Sequence, residues 1–265
     1  MSAWLAGEEW LLKAFRDGED PYLIMASEIF GETITDKEDP RRQLGKIVEL
    51  GSQYQLGWEA LQARCLQDDI RLSKRQAQEI VIAYRTLHAN IVKCWALSEK
   101  TFIDAMHLLP GEHITLTNGI RFERIEHAVK VVRRSGFAQY YWNPRMEMGH
   151  WKNCDYSHCN GCKEDICYTG RRKTGAMGKK TTYGGDIFQG YVQGTALDYM
   201  LEGMTNVEEA GYPPVMSVHD DITCEIEDDG EDYTEDYNDR LCRSPKWAKG
   251  LPIKAECWQQ RRYTK

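Results

Sequence analysis

The segment Arg42-x3-Lys46-x3-Leu50-x3-Tyr54 repeats chemically distinct side chains at intervals of four residues. Residues at this interval lie on one face of an α-helix, so the spacing predicts a helix with two cations on adjacent turns and an aromatic ring further along. Such a face can bind a triphosphate with its cations while the ring supports a base or a sugar. The alternative is a solvated helix surface with a partly buried tyrosine.

A second stretch, Val218-His219-Asp220-Asp221, lies between two short apolar runs that are typical of β-strands. The pattern predicts a hairpin whose turn carries adjacent carboxylates. Carboxylates in such a turn often hold divalent ions against phosphate oxygens. The alternative is an ordinary polar turn between strands.

The remaining pattern indicates an α+β fold. Apolar residues recur at helical spacing in four early segments, residues 4–15, 23–30, 44–51 and 73–95. From Ile114 the pattern changes to short alternating runs, with Asn118-Gly119 as a hairpin turn signal. Residues 183–210 return to helical spacing.

Composition narrows the class of protein. Hydrophobic residues make up 42% and charged residues 28% of 265 residues, values that are ordinary for a globular protein. No apolar run approaches the length of about 18 residues that a transmembrane helix needs, so we expect no membrane partner. The net charge of −7 argues mildly against a dedicated DNA-binding protein. Single scattered cysteines without a secretion signal predict reduced thiols and a cytoplasmic location.

Four further cysteines are clustered as Cys154-x4-Cys159-x2-Cys162-x4-Cys167. Thiolates at this spacing suit tetrahedral Zn²⁺, whose binding can fold a short loop that has no core of its own. The alternatives are free cysteines in an unstructured insertion and an iron–sulfur cluster. Basic residues follow the cluster and could contact a nucleic-acid backbone: Arg171, Arg172, Lys173, Lys179 and Lys180.

Several blocks of the chain occur in an order that is typical of one enzyme family. They are Trp4-Leu5-Ala6-Gly7, Arg42-x3-Lys46-x7-Tyr54, Tyr183-Gly184-Gly185, Gln193-Gly194-Thr195-Ala196, Val218-His219-Asp220-Asp221 and Pro245-x-Trp247. With these blocks the chain resembles the C-terminal, fingers and partial palm, portion of a family A (DNA polymerase I-like) DNA polymerase of bacteriophage type. The resemblance implies a helical fingers subdomain over residues 1–113. It also implies a partial palm over residues 114–265, with a short antiparallel sheet and a Cys-rich insertion at residues 146–182.

The resemblance also implies roles for individual residues. The incoming dNTP would be bound by Arg42, Lys46, Leu50 and Tyr54. Lys46 would in addition stabilise, and protonate, the pyrophosphate leaving group.

The remaining implied roles concern the primer–template DNA and the metal. Gln189 and Gln193 would contact the DNA and His219 would approach the primer end. Asp220 would bind catalytic Mg²⁺ with Asp221 in support, in a two-metal phosphoryl transfer.

The sequence departs from the family pattern at three places. Leu50 stands where Phe or Tyr is usual, and Gln55 stands where Gly is usual. The family's first catalytic aspartate is expected upstream of the segment that begins this chain. We therefore expect a second polypeptide that supplies the thumb and that aspartate. The alternatives are a non-catalytic DNA-binding or regulatory remnant and a truncated gene product.

Overall fold

The computed structural model of the chain describes residues 1–151, 154, 159 and 161–262. The chain folds into two compact units, one formed by residues 2–192 and the other by residues 193–265. This division differs from the subdomains expected at residues 1–113 and 114–265, because the sheet that follows residue 113 clusters with the preceding helices. The assignment of residues 1–113 to a fingers subdomain and of residues 114–265 to a palm stays a prediction.

Among the described residues, seven helices precede the sheet. They are α1 (Ser2–Ala6), α2 (Glu9–Asp17), α3 (Pro21–Phe30), α4 (Arg41–Ser52), α5 (Trp58–Gln67), α6 (Lys74–Leu87) and α7 (Ala89–Met106). A long helix, α8 (Gly184–Glu209), follows the sheet.

Local capping signals explain two of the helix starts. Asp20 caps α3 and Pro21 occupies its first turn, while Gly31 ends the helix in a left-handed conformation with φ of 67°. Ser73 and Gln76 form a reciprocal capping box at the start of α6. Both starts agree with the helical spacing predicted for residues 23–30 and 73–95.

The helix expected to run from Ser73 past His88 is divided at His88. The His88 side chain is fully buried, and its Nε2 atom lies 3.0 Å from Oε2 of Glu49 on α4. Oε2 of Glu8 accepts a hydrogen bond of 3.0 Å from the backbone N–H of Asn90, which gives one free donor at the start of α7 a partner. Tertiary partners therefore set the division between α6 and α7.

Helices α3 and α4 approach each other at Gly45. A Cβ atom at this position would overlap the backbone oxygen of Tyr22 and lie 2.9 Å from the backbone nitrogen of Ala26, both on α3. Only a residue without a side chain permits this approach. The side chains of Leu44, Ile47 and Val48 are buried on the adjoining faces of α4.

Six antiparallel strands form one sheet in sequential order. They are β1 (His113–Thr115), β2 (Arg121–Ile125), β3 (Ala128–Val132), β4 (Ala138–Gly149), β5 (Lys163–Arg171) and β6 (Met177–Thr182). The predicted turn at Asn118-Gly119 joins β1 to β2, and Gly119 has φ of 83°. The short antiparallel sheet expected from the sequence is thus a six-stranded meander.

The sheet is built partly from the segment expected as an insertion, residues 146–182. The end of β4 and all of β5 and β6 come from it, and Tyr168 of β5 packs edge-on to Tyr141 of β4 at 5.0 Å between ring centroids. Tyr141 in turn packs against Phe102 of α7 at 4.9 Å. The segment therefore extends the main sheet, and part of its tip lies outside the described residues.

The unit of residues 193–265 contains the second half of α8 and a separate hairpin. The hairpin consists of β7 (Pro214–Val218) and β8 (Asp221–Cys224) and is followed by α9 (Thr234–Leu241). Tyr199 of α8 is buried there, and its hydroxyl donates to the carbonyl of Cys242 at 2.9 Å. The Tyr199 ring packs edge-on to Trp247.

Within the described part of the chain, the structure contains no helix that combines the length and the apolar character needed to cross a membrane.

We predict that Gly45→Ala destabilises the chain, because the added methyl group must push the backbones of α3 and α4 apart. Overpacking typically costs 1–3 kcal/mol, and we expect about 3 kcal/mol here because the obstructing atoms are backbone. Gly51→Ala on the same helix is the matched control, since its Cβ would meet a flexible side-chain atom, Cδ2 of Leu56, at 3.2 Å. Urea unfolding of both variants measures the difference. Equal stability of the two variants would contradict the proposed contact.

Candidate functional site

The cationic face predicted for α4 is present over three of its four positions. Arg42, Lys46 and Leu50 lie within α4 at intervals of four residues, and Lys46 and Leu50 are exposed. Tyr54 lies beyond the helix, which ends at Ser52, in the turn that follows. The expectation that Tyr54 continues the helical face is therefore wrong. Tyr54 lies in the turn two residues after the helix ends.

Arg42 is held against α3 by a charged partner. Its Nε atom donates to Oδ2 of Asp20 at 2.8 Å, and its guanidinium lies 5.2 Å from the centre of the Tyr22 ring. Burial raises the pKa of the Asp20 carboxyl, but the hydrogen bond and charge of Arg42 together with backbone donors outweigh it and hold the pKa below its usual value. An arriving phosphate group must share Arg42 with this carboxylate.

Lys46, unlike Arg42, has no acidic partner among the described residues. Within the described part of the chain Lys46 forms no ion pair, and its side chain is exposed. Its ammonium group is therefore available to an anion that reaches this face of α4.

The turn that carries Tyr54 contacts the start of α8. The side-chain oxygen of Gln55, which has φ of 66°, accepts a hydrogen bond of 2.9 Å from the backbone N–H of Gly185. A Cβ atom on Gly185 would lie 2.7 Å from the carbonyl oxygen of Tyr54, and one on Gly184 would lie 2.8 Å from the carbonyl carbon of Trp95. These contacts explain why two glycines begin α8.

Tyr54 itself is half-buried. Burial raises the pKa of its phenol, so the ring carries a neutral hydroxyl at physiological pH. This environment is compatible with a ring that supports an apolar ligand surface.

The predicted acidic turn is a two-residue hairpin loop. Val218 pairs with Asp221 across the hairpin, so His219 and Asp220 form the loop. His219 has φ of 58°, a left-handed conformation that histidine adopts more readily than most residues. His219 and Asp220 are exposed and Asp221 is half-buried as the first residue of β8.

The carboxylates of this hairpin have the chemistry that Mg²⁺ selects. Asp220 and Asp221 offer adjacent hard oxygen donors, and the exposure of Asp220 leaves room for the water molecules that Mg²⁺ retains. The donor set present on β7–β8 therefore fits a divalent cation bound together with phosphate oxygens.

The residues expected to contact DNA lie on α8 and at the β5–β6 turn. Gln189 and Gln193 are one helical turn apart on α8, and Gln193 is exposed. Arg171, Arg172 and Lys173 lie at the exposed β5–β6 turn. The backbone N–H of Arg172 donates to the carbonyl of Ala176 at 2.8 Å, which closes the turn. Whether these side chains bind DNA stays a prediction.

The cysteine cluster differs in one member from the set expected from spacing. Ligand atoms of His150, Cys154, Cys159 and Cys162 all lie within 4.8 Å of one another. Cys167 is not in this group, since it is buried within β5, where it pairs in register with Arg145 and Thr181. Among the described residues, His150 and not Cys167 lies with the other three cysteines.

The sequence alone does not assign a role to His150 or to the pairing of Asp20 with Arg42. The signal for His150 was its position four residues before Cys154, which fits ligand spacing. The pairing of Asp20 with Arg42 had no local signal, because the two residues lie on different helices.

Comparison with known proteins gives two related sequences, and no protein-family model matches the chain. The DNA polymerase of Bacillus phage SP02 is 33% identical over 258 residues, which cover 96% of this chain and 38% of that polymerase. The DNA polymerase of Mycobacterium phage D29 is 30% identical over 91 residues, which cover 34% of this chain and 14% of that polymerase. The chain thus spans less than two fifths of the length of the curated relatives it matches.

A solved structure shares the fold. The POL domain of Pol1 from M. smegmatis, in complex with DNA primer-template and dNTP, matches with a TM-score of 0.54 over 91% of this chain and 33% of that chain, at 17% identity. The α+β fold expected from the sequence is confirmed by this match and by the helices and antiparallel sheet described above. The chain is therefore related to the DNA polymerase of Bacillus phage SP02 over nearly its whole length and has the fold of a DNA polymerase I polymerase domain.

Proposed function

We propose that the chain takes part in template-directed DNA synthesis, the transfer of dNTPs to a primer 3′-hydroxyl, as the fingers and palm part of a family A polymerase. The observation that carries the proposal is the match to a phage DNA polymerase over 258 residues, which includes both the cationic face of α4 and the acidic hairpin β7–β8. Each of these groups has a role in phosphoryl transfer that follows from its charge.

The α4 face provides the contacts for the nucleotide. Arg42 and Lys46 bind the triphosphate, and Lys46 also delivers a proton to the pyrophosphate as it leaves. Leu50 and Tyr54 contact the sugar and the base. An aliphatic Leu50 offers a smaller contact surface to the sugar than an aromatic ring would.

The acidic hairpin and α8 provide the contacts for metal and primer. Asp220, with Asp221, holds Mg²⁺, which supplies charge neutralisation at the reacting phosphate when bound. His219 approaches the primer end, and Gln189 and Gln193 contact the minor-groove edge of the primer–template, where acceptor positions are shared by correct pairs. The partners proposed for this chain are thus dNTPs and primer–template DNA.

A complete polymerase site also needs elements that residues 1–265 do not supply. In family A the thumb and the first catalytic aspartate precede the segment that resembles this chain. We infer that both come from outside these 265 residues, either on a second polypeptide or on further chain. The presence of Arg42, Lys46 and Asp220 in this sequence supports a site that becomes active once these elements are supplied.

We predict that primer extension requires Asp220. The purified chain is assayed with Mg²⁺, dNTPs and primed template, alone and together with the protein encoded immediately upstream. We expect extension in the mixture, and a fall of at least about 100-fold with Asp220→Ala, because loss of even an outer partner of a metal ligand costs about 10–100-fold.

Glu227→Gln is the matched control for Asp220→Ala, since Glu227 is an exposed acid beyond β8. Its activity should equal that of the unmodified chain. A mixture that extends the primer equally well with Asp220→Ala would contradict the catalytic role. Primer–template binding without extension, indifferent to Asp220→Ala, would instead indicate a non-catalytic DNA-binding remnant.

We predict that Arg42→Ala raises the KM for dNTP by about 10- to 100-fold, since a hydrogen bond to a charged group contributes about 1.5–3 kcal/mol. Arg41→Ala is the control, because Arg41 is the preceding residue on α4 and is paired with Asp39 and Glu32. Steady-state primer extension at varied dNTP concentration measures both variants. An equal rise in KM for the two variants would show a general loss of positive charge and contradict a specific Arg42 contact.

A further inference from the structure

The connection between β4 and β5 contains four potential metal ligands in a compact group. These are His150, Cys154, Cys159 and Cys162, whose ligand atoms lie within 4.8 Å of one another. In tetrahedral zinc sites, Zn–S bonds of about 2.3 Å and Zn–N bonds of about 2.0 Å place the ligand atoms about 3.5–3.8 Å apart. A small contraction of the group brings it to that geometry.

Backbone hydrogen bonds already bring the two ends of the connection together. The N–H of Cys162 donates to the carbonyl of Gly149 at 2.9 Å, which continues the β4–β5 ladder. The N–H of Trp151 donates to Sγ of Cys162 at 3.1 Å. An N–H donor to a ligand sulfur stabilises the thiolate form that a metal requires. Nδ1 of His150 lies 3.4 Å from Sγ of Cys154.

Gly161, the residue before Cys162, adopts a conformation that favours glycine. It has φ of 122°, and a Cβ atom there would lie 2.7 Å from Cβ of Met148. Both the conformation and the space therefore require glycine. The spacing of Cys159 and Cys162 is that of a Cys-x2-Cys zinc ligand pair.

Apolar packing does not account for this compact arrangement. The large apolar side chains described at the end of the hairpin, Met148 and Trp151, are 57% and 62% exposed. Burial of these two side chains therefore contributes little stabilisation to the described residues at the hairpin end. A disulfide would join two of the cysteines and leave the third cysteine and His150 without a role.

We propose that this group binds one structural Zn²⁺ through the thiolates of Cys154, Cys159 and Cys162 and through Nδ1 of His150. The three thiols lose their protons on binding, and four protein ligands complete the tetrahedral coordination. The ion closes the end of the β4–β5 hairpin. Cys167 has no part in the site, because it is buried within β5.

Zinc content of the full chain, purified from zinc-supplemented medium, tests the site independently of polymerase activity. We expect about one zinc per chain in the unmodified protein. Cys159→Ser and His150→Ala should each lose most of the bound zinc, while the matched control Cys167→Ala should retain it. Trypsin should cleave between residues 150 and 163 faster after treatment with a zinc chelator.

Two outcomes overturn the proposal. A folded, unmodified chain without zinc would exclude the site, and loss of zinc from Cys167→Ala with retention in His150→Ala would assign a four-cysteine site instead. If Cys167→Ala fails to fold, the Co²⁺ form of the unmodified chain distinguishes the two ligand sets. Three thiolates and one imidazole give weaker sulfur-to-cobalt charge-transfer absorption than four thiolates, and a four-thiolate spectrum would contradict the proposed ligands.

Discussion

The close approach of α3 and α4 at Gly45 is the constraint on which the candidate nucleotide face depends. Because position 45 has no side chain, α4 lies directly against the backbone of α3. One turn earlier, Arg42 meets Asp20, the residue that also caps α3. One residue later, Lys46 is exposed. The same close contact thus fixes one cation and leaves the other free to meet an anion.

A second backbone contact connects this face with the start of α8. Gly184 and Gly185 lie against the carbonyl groups of Trp95 and Tyr54, where a side chain would not fit. The position of Tyr54 is therefore set by the packing of its turn against the start of α8, and not by the helical spacing from Arg42 and Lys46. Contacts of this kind are rigid, because backbone atoms cannot move aside as side chains can.

Features with a local cause could be predicted from the sequence, and features with a distant cause could not. Asp20 and Pro21, Ser73 and Gln76, and Asn118-Gly119 act within a few residues, and each begins or turns the element that was expected. The division at His88 depends on Glu49 of another helix. Cysteine spacing predicted a set of four thiolate ligands, but strand register buries Cys167, and the ligand atoms that lie together are those of His150, Cys154, Cys159 and Cys162.

Register also connects the cysteine group with the basic turn at the other end of β5. The register between β4 and β5 shifts at a bulge between Trp142 and Arg145. The pairing before the bulge therefore does not fix the register beyond it. A slip of one residue would move every side chain of β5 to the opposite face. Gly149 pairs with Lys163 at the hairpin end, next to His150 and Cys162. The zinc ion proposed for that end would hold this register, and with it the face of the sheet that Arg171 occupies.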